Sequence, residues 1–155
     1  MKLFFPGSFD PFTIGHADIV NRAVAMGFKV VIGVGDNSNK TPWLSVYERV
    51  SALEEAYCYD GSPVTVMSYS GLTADAARKA GCDAILRGIR NTTDFEYERN
   101  IADVNRNAFL VETIFLDTLP QYSYISSSMV REMMRYQDAT SYVITPFQKY
   151  VKWKK

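Results

Sequence analysis

A single histidine, a pair of arginines and a run of three serines are the residues of this 155-residue chain best suited to handle phosphate. The histidine, His16, follows Gly15 at the start of a helical pattern. That pattern comes just after the apolar opening Leu3-Phe4-Phe5-Pro6 and the turn residues Gly7 and Ser8. Glycine at position 7 lets backbone approach a ligand with no Cβ in the way, and Ser8 supplies a hydroxyl beside its N–H. A helix start attracts anions through its free N–H groups and the positive end of its dipole, and His16 adds a directed donor there. The plainer reading has Ser8 and Thr13 capping turns and His16 capping or packing the helix. It loses ground because the histidine follows a first strand and a glycine turn. Arg87 and Arg90 stand at the end of the run Ala84-Ile85-Leu86, with Gly88 allowing a tight turn between them. Two guanidiniums beside one turn make a phosphate clamp, where a lone arginine would read as a surface ion pair. Ser126, Ser127 and Ser128 precede an apolar helical run. Simple capping needs only one of them, and the others leave hydroxyls and N–H groups for a phosphate. Glu98, Ile101 and Asn105 share one helix face by their spacing; that mixed polar and apolar stripe suits a slender ligand with an amide chain.

These groups need a frame, and the pattern supplies one. Lys2–Phe5, Lys29–Val34, Val64–Tyr69, Ala84–Arg87 and Glu112–Leu116 are short, nearly continuous apolar runs, as in a parallel sheet covered on both faces. Helical segments lie between them, from about His16 to Met26, from Ser45, and from Leu72 to Ala80 with Gly81 as a stop. Ser45 and Glu48 have capping-box spacing, as do Thr93 and Glu96. A last long helix is expected to start within Ser126–Glu132. Repeated strand–helix alternation predicts a doubly wound α/β fold with a five-stranded parallel sheet in a single domain, residues 1–155. Ligands of such sheets bind beyond the carboxyl ends of the strands, so the loops after Phe5, Val34, Tyr69, Arg87 and Leu116 are where a site belongs.

Composition narrows the partners. Lys+Arg and Asp+Glu are 17 each, so no basic excess points to nucleic acid; an anion site must be built locally. Cys58 and Cys82 fit no metal spacing and are too few to staple the domain, so they read as reduced thiols. The opening apolar run is too short for a signal peptide, and no stretch approaches the roughly 18 apolar residues of a membrane span. A cytoplasmic protein without membrane or nucleic-acid partners is the expectation. Tyr57, Tyr59, Phe109, Tyr142, Phe147 and Trp153 read as core or subunit contacts.

Thr13-Ile14-Gly15-His16 resembles the T/H-x-G-H signature of the nucleotidyltransferase superfamily, and the longer string from Pro6 to His16 resembles the bacterial phosphopantetheine adenylyltransferases. Four further stretches match in order: Asn39–Arg49, Arg87–Glu98, Ile101–Arg106 and Tyr122–Glu132. The resemblance implies a Rossmann-like fold and adenylyl transfer from ATP to 4′-phosphopantetheine, giving dephospho-coenzyme A and pyrophosphate. It also implies a Mg2+ ion carried with ATP, no protein-held metal, and a homohexamer. By the same resemblance, His16, Lys40, Ser8 and Arg90 carry the reaction. ATP would lie against Ser8, Phe9, His16, Gly88, Ile89, Arg90, Glu98, Tyr122, Ser123, Tyr124, Ile125, Ser126, Ser127 and Ser128. The acceptor would meet Ser8, Lys40, Thr73, Arg87, Ile101 and Asn105. Lys40 rests on the resemblance alone, since a lysine in a polar loop is ordinarily solvated.

The chain departs in shape from the family it resembles at three positions. Thr73 stands where many carry a bulkier apolar residue, Val104 where methionine is often seen, and Tyr122 where tryptophan is common. Two other readings stay open at this level. One is a nucleotidyltransferase with another base or acceptor, such as a cytidylyltransferase, although those usually carry an R-T-x-G-x-S/T-T loop where this chain has Ile125-Ser126-Ser127-Ser128-Met129-Val130-Arg131. The other is a nucleotide-binding regulator without turnover. A fragment of an aminoacyl-tRNA synthetase is disfavoured by the absence of a K-M-S-K-S-like loop.

Overall fold

The apolar opening of the chain becomes the central strand. In the computed structural model, which describes residues 1–37, 39 and 41–152, β1 (Lys2–Gly7) pairs with β2 (Lys29–Gly35) on one side and β4 (Ala84–Ile89) on the other. β3 (Val64–Tyr69) and β5 (Glu112–Asp117) form the edges. Every pairing is parallel and the order is β3-β2-β1-β4-β5. The expected five-stranded doubly wound sheet is the sheet observed. Strand order reverses between β1 and β4, and that is where such folds leave a crevice at the carboxyl ends of the strands.

Alternation along the strands sorts the core. Leu3 and Phe5 of β1, with Val30, Ile32 and Val34 of β2, face α1 (Ile14–Ala25), α2 (Val46–Tyr57), α5 (Ser127–Met133) and α6 (Thr145–Gln148). Phe4, Val31 and Ile85 point to the opposite face, covered by the alanines of α3 (Thr73–Lys79) and by Val111 and Phe109 after and at the end of α4 (Thr92–Phe109).

Two helix boundaries differ from the expectation. Asn91, not Thr93, caps α4, its side chain accepting the N–H of Asp94 at 2.9 Å. Starting the helix there puts Asp94 in the first turn, within 2.8 Å of Arg90 Nε. The helix after the serines is short. Beyond Met133 the chain tightens, with Arg135 N–H donating to Glu132 O (3.1 Å) and Tyr136 N–H to Met133 O (2.9 Å), so α5 spans seven residues and not a long helix. Trp153 lies outside the described residues.

Candidate active site

Gly7 ends β1, and its missing Cβ is used by the protein itself. A Cβ there would sit 2.6 Å from the ring of Phe9. Phe9 adopts φ 50°, a left-handed conformation rare for a side chain of this size, and its buried ring packs edge-on against the His16 imidazole, centroids 5.2 Å apart. Gly7 lines both cavities at this end of the sheet, where its backbone is open to a ligand, and its missing Cβ also makes room for Phe9, which in turn packs on His16. The expected turn at Gly88 is corrected. This residue lies within β4, and a Cβ would approach Ile19 of α1 at 3.0 Å, so it permits helix–strand contact and makes no turn.

His16 is both a cap and a cavity residue. It occupies the third position of α1, and Thr13 caps that helix through a capping box in which the Thr13 N–H donates to His16 Nδ1 at 3.0 Å. With Nδ1 an acceptor, the proton of the neutral ring belongs on Nε2. Burial among Phe5, Phe9 and Phe12, and then the charges of Arg87 and Arg90, push its pKa from 6.5 down to about 3. At neutral pH the ring is therefore an uncharged donor.

Two cavities open at the carboxyl ends of the strands. The smaller, about 320 Å³, is lined by His16, Gly88, Arg90, Tyr122, Ile125 and the three serines, among others. The larger, about 980 Å³, is lined by Tyr69, Thr73, Ile101, Asn105, Gly35, Asp36, Asn37, Asn39, Thr41, Pro42 and Trp43, among others. They share the wall formed by Pro6, Gly7, Ser8, Arg87, Glu98 and Arg131. Phe9 lines the smaller cavity. Ile89, Ser123 and Tyr124 line neither; Tyr124 is exposed and pairs with Tyr142. Lys40 lies outside the described residues.

The arginine pair is engaged. Arg87 donates from Nε to Glu98 at 2.8 Å, from Nη2 to the same carboxylate, and from Nη1 to Pro6 O at 2.7 Å. Arg90 grips Asp94 from Nε and Nη2, and those bonds first, with the guanidinium charge, hold the Asp94 carboxyl below the usual carboxylate range. Both arginines are ion-paired, as a lone surface arginine would be, but their N–H donors are not exhausted. Of the serines, Ser126 caps α5 and Ser127 donates to Pro11 O at 2.8 Å, leaving Ser128 as the exposed hydroxyl. Glu98 and Asn105 are buried and Ile101 is half-open on the same face of α4, as the stripe required.

Sequence reasoning did not single out Arg131, whose Nη1 donates to Asp10 O at 2.6 Å, nor Asp10 and Arg49 behind the larger cavity. A charged residue on the otherwise apolar face of a helix, as Arg49 is beside Ala52 and Leu53 on α2, is the signal that could have found it. Among the described residues no three of His, Cys, Asp and Glu come together as metal ligands.

Residues 4–133 match the family model described as cytidylyltransferase-like. The phosphopantetheine adenylyltransferase of Flavobacterium psychrophilum is 46 % identical over 86 % of this chain and 88 % of its own length. That of Phocaeicola vulgatus is 45 % identical over 92 % of this chain and 94 % of its own. Among solved structures, a bifunctional NMN adenylyltransferase/ADP ribose pyrophosphatase from Francisella tularensis superposes with a TM-score of 0.64 at 18 % identity, covering 92 % of this chain and 44 % of that one, a likeness of fold. The chain belongs to the cytidylyltransferase-like family and, within it, to the phosphopantetheine adenylyltransferases.

Proposed function

We propose that this protein transfers the adenylyl group of ATP to 4′-phosphopantetheine, giving dephospho-coenzyme A and pyrophosphate in coenzyme A biosynthesis. The observation that carries the reading is the common wall. A nucleotide in the smaller cavity and a phosphorylated acceptor in the larger one would meet at Ser8 and Arg87. The names of the curated relatives support adenylyl transfer over the cytidylyl alternative.

The acceptor is already an anion and needs no general base. One of its phosphate oxygens attacks the α-phosphorus of ATP, the bond from that phosphorus to the bridging oxygen of pyrophosphate breaks, and pyrophosphate leaves with the electron pair. The protein's work is to hold two anions in line and meet charge as it grows. We assign Ser8, Lys40 and Arg87 to the attacking phosphate, with Thr73, Ile101 and Asn105 along the acceptor's arm. His16 would donate from Nε2 to the α-phosphate. Arg90, Gly88, Phe9 and Glu98, with Tyr122 and Ile125–Ser128, are assigned to ATP in the smaller cavity, and Ile89, Ser123 and Tyr124 to the backbone that carries them. Glu98 and Asp94, the carboxylates of the smaller cavity, are both bound by arginines, so a Mg2+ ion would be held by the nucleotide's phosphates and water.

We also propose a homohexamer in the cytoplasm. Beside the cavity face, α4 supports assembly by exposing Tyr97 and Val104, and sedimentation at low concentration tests it, a fully active monomer being the contrary result. Cys58 and Cys82 are free thiols, in keeping with a reducing compartment. Purified protein should release pyrophosphate only when ATP and phosphopantetheine are both present, and far less with CTP, GTP or UTP. Binding of ATP without release in the presence of the acceptor would favour the regulator instead.

A further inference from the structure

Arg49 is a buried cation, 2 % exposed, and it forms no ion pair with a carboxylate among the described residues. Its Nε and Nη1 donate to backbone carbonyls alone. Nη1 donates to Ser8 O at 2.5 Å and to Gly35 O at 3.1 Å, and Nε donates to Leu44 O at 3.0 Å and Ser45 O at 3.3 Å. These carbonyls belong to three separate segments: the turn after β1, the end of β2 and the entry to α2. Asp10 completes the tie from the opposite side. Its carboxylate accepts the N–H of Trp43 and of Leu44, both at 2.7 Å. The residue at 44 is thus held at its N–H by Asp10 and at its carbonyl by Arg49.

A buried charge without a counter-ion is a poor way to fill a core, since an apolar side chain of similar volume packs there at no desolvation cost. What the guanidinium provides and an apolar side chain cannot is a fixed spacing between these three segments. Ser8, Asp10, Gly35, Trp43 and Arg49 itself all line the larger cavity. The walls peculiar to the smaller cavity, among them Thr13, His16, Arg90 and the serines, receive no hydrogen bond from Arg49.

We propose that Arg49, with Asp10 as its counterpart, is a positioning residue for the acceptor half of the reaction: it sets Ser8 at the common wall against the rim of the acceptor cavity. The inference rests on the function proposed above. Lysine at position 49 keeps the charge and most of the stem but lacks the planar fork that reaches several carbonyls at once. Asparagine at position 10 keeps the shape but accepts on only one oxygen.

The test compares Arg49→Lys and Asp10→Asn with the unaltered protein in steady-state assays for both substrates and in calorimetric ATP titrations, folding being followed by circular dichroism. The expected result is a loss in kcat/KM for phosphopantetheine of about ten- to a hundredfold, the scale of charge-assisted hydrogen bonds, with the Kd for ATP changed less than about threefold on the same scale. Unchanged acceptor kinetics in a folded variant would overturn the proposal. So would equal losses for ATP and acceptor, which mark general loosening, and so would failure of both variants to fold, which would make the pair a requirement of the fold alone. If the unaltered protein shows no turnover of phosphopantetheine, it is the underlying function that fails.

Discussion

The backbone N–H of Thr13 points at His16 Nδ1 from 3.0 Å, and the Thr13 hydroxyl lies 3.1 Å from the same nitrogen. One nitrogen of the only histidine is thereby used to cap α1, and the other, Nε2, carries the ring's proton. The same imidazole serves the fold and the cavity, which is why its position at a helix start has two correct descriptions.

A solitary histidine makes its charge state directly observable. With its pKa pushed down to about 3 by burial and by Arg87 and Arg90, the imidazole 15N resonances should keep the Nε2–H pattern from pH 8 to pH 5. The linkage has a definite sign. The unfolded chain takes up this proton below about 6.5 and the folded protein does not until about 3, so stability from a neutral His16 is complete above pH 6.5 and declines as pH falls toward 3. A resonance titrating near 6.5 in the folded protein would show the ring to be solvated.

Replacing His16 by alanine should lower kcat by about 10²–10³, the usual effect of losing one donor to transition-state charge, and leave the Kd for ATP little changed. Transient kinetics with calorimetry separates the two. Near-normal kcat with collapsed ATP affinity would make His16 a ground-state anchor.

Gly7→Ala forces a methyl group to within 2.6 Å of the Phe9 ring. Overpacking of this kind costs about 1–3 kcal/mol, read as a drop in denaturation midpoint. Because Phe9 packs on His16, kcat should fall along with stability, although Gly7 itself offers no chemical group.

The cations should divide by substrate. Lys40→Ala and Arg87→Ala should each reduce kcat/KM for phosphopantetheine by about ten- to a hundredfold, and Arg90→Ala should act mainly on ATP. Separate titrations with each ligand decide it. Loss of ATP affinity alone in Lys40→Ala would reverse the assignment of the two cavities. The ion pair to Glu98 adds a further outcome: Arg87→Ala also leaves a buried carboxylate unpaired, so it should lower stability as well.

Much of the fold was legible in the sequence because strands buried on both faces read as continuous apolar runs, as Leu3-Phe4-Phe5 does. The structure then divides that run, Leu3 and Phe5 to one core and Phe4 to the other, and the Ser45–Glu48 capping box formed as spaced. The start of α4 was misread because asparagine and threonine both cap well, and only the Arg90–Asp94 contact in three dimensions favours Asn91. Gly7 and Gly88 were recognisable as tight positions, but whether a ligand or a side chain fills the space at a glycine depends on partners, Phe9 and Ile19, whose approach is tertiary. The carbonyls bound by Arg49 carry no side-chain signature, so its role could not be read from residue types.

The central claim is that two anions meet in line across the wall at Ser8 and Arg87 and react directly. It is tested most directly with ATP made chiral at the α-phosphorus by sulfur and oxygen isotope, following its configuration into dephospho-coenzyme A by 31P NMR. A single in-line displacement predicts inversion, while retention would mean two displacements through an adenylylated protein side chain and would contradict the account.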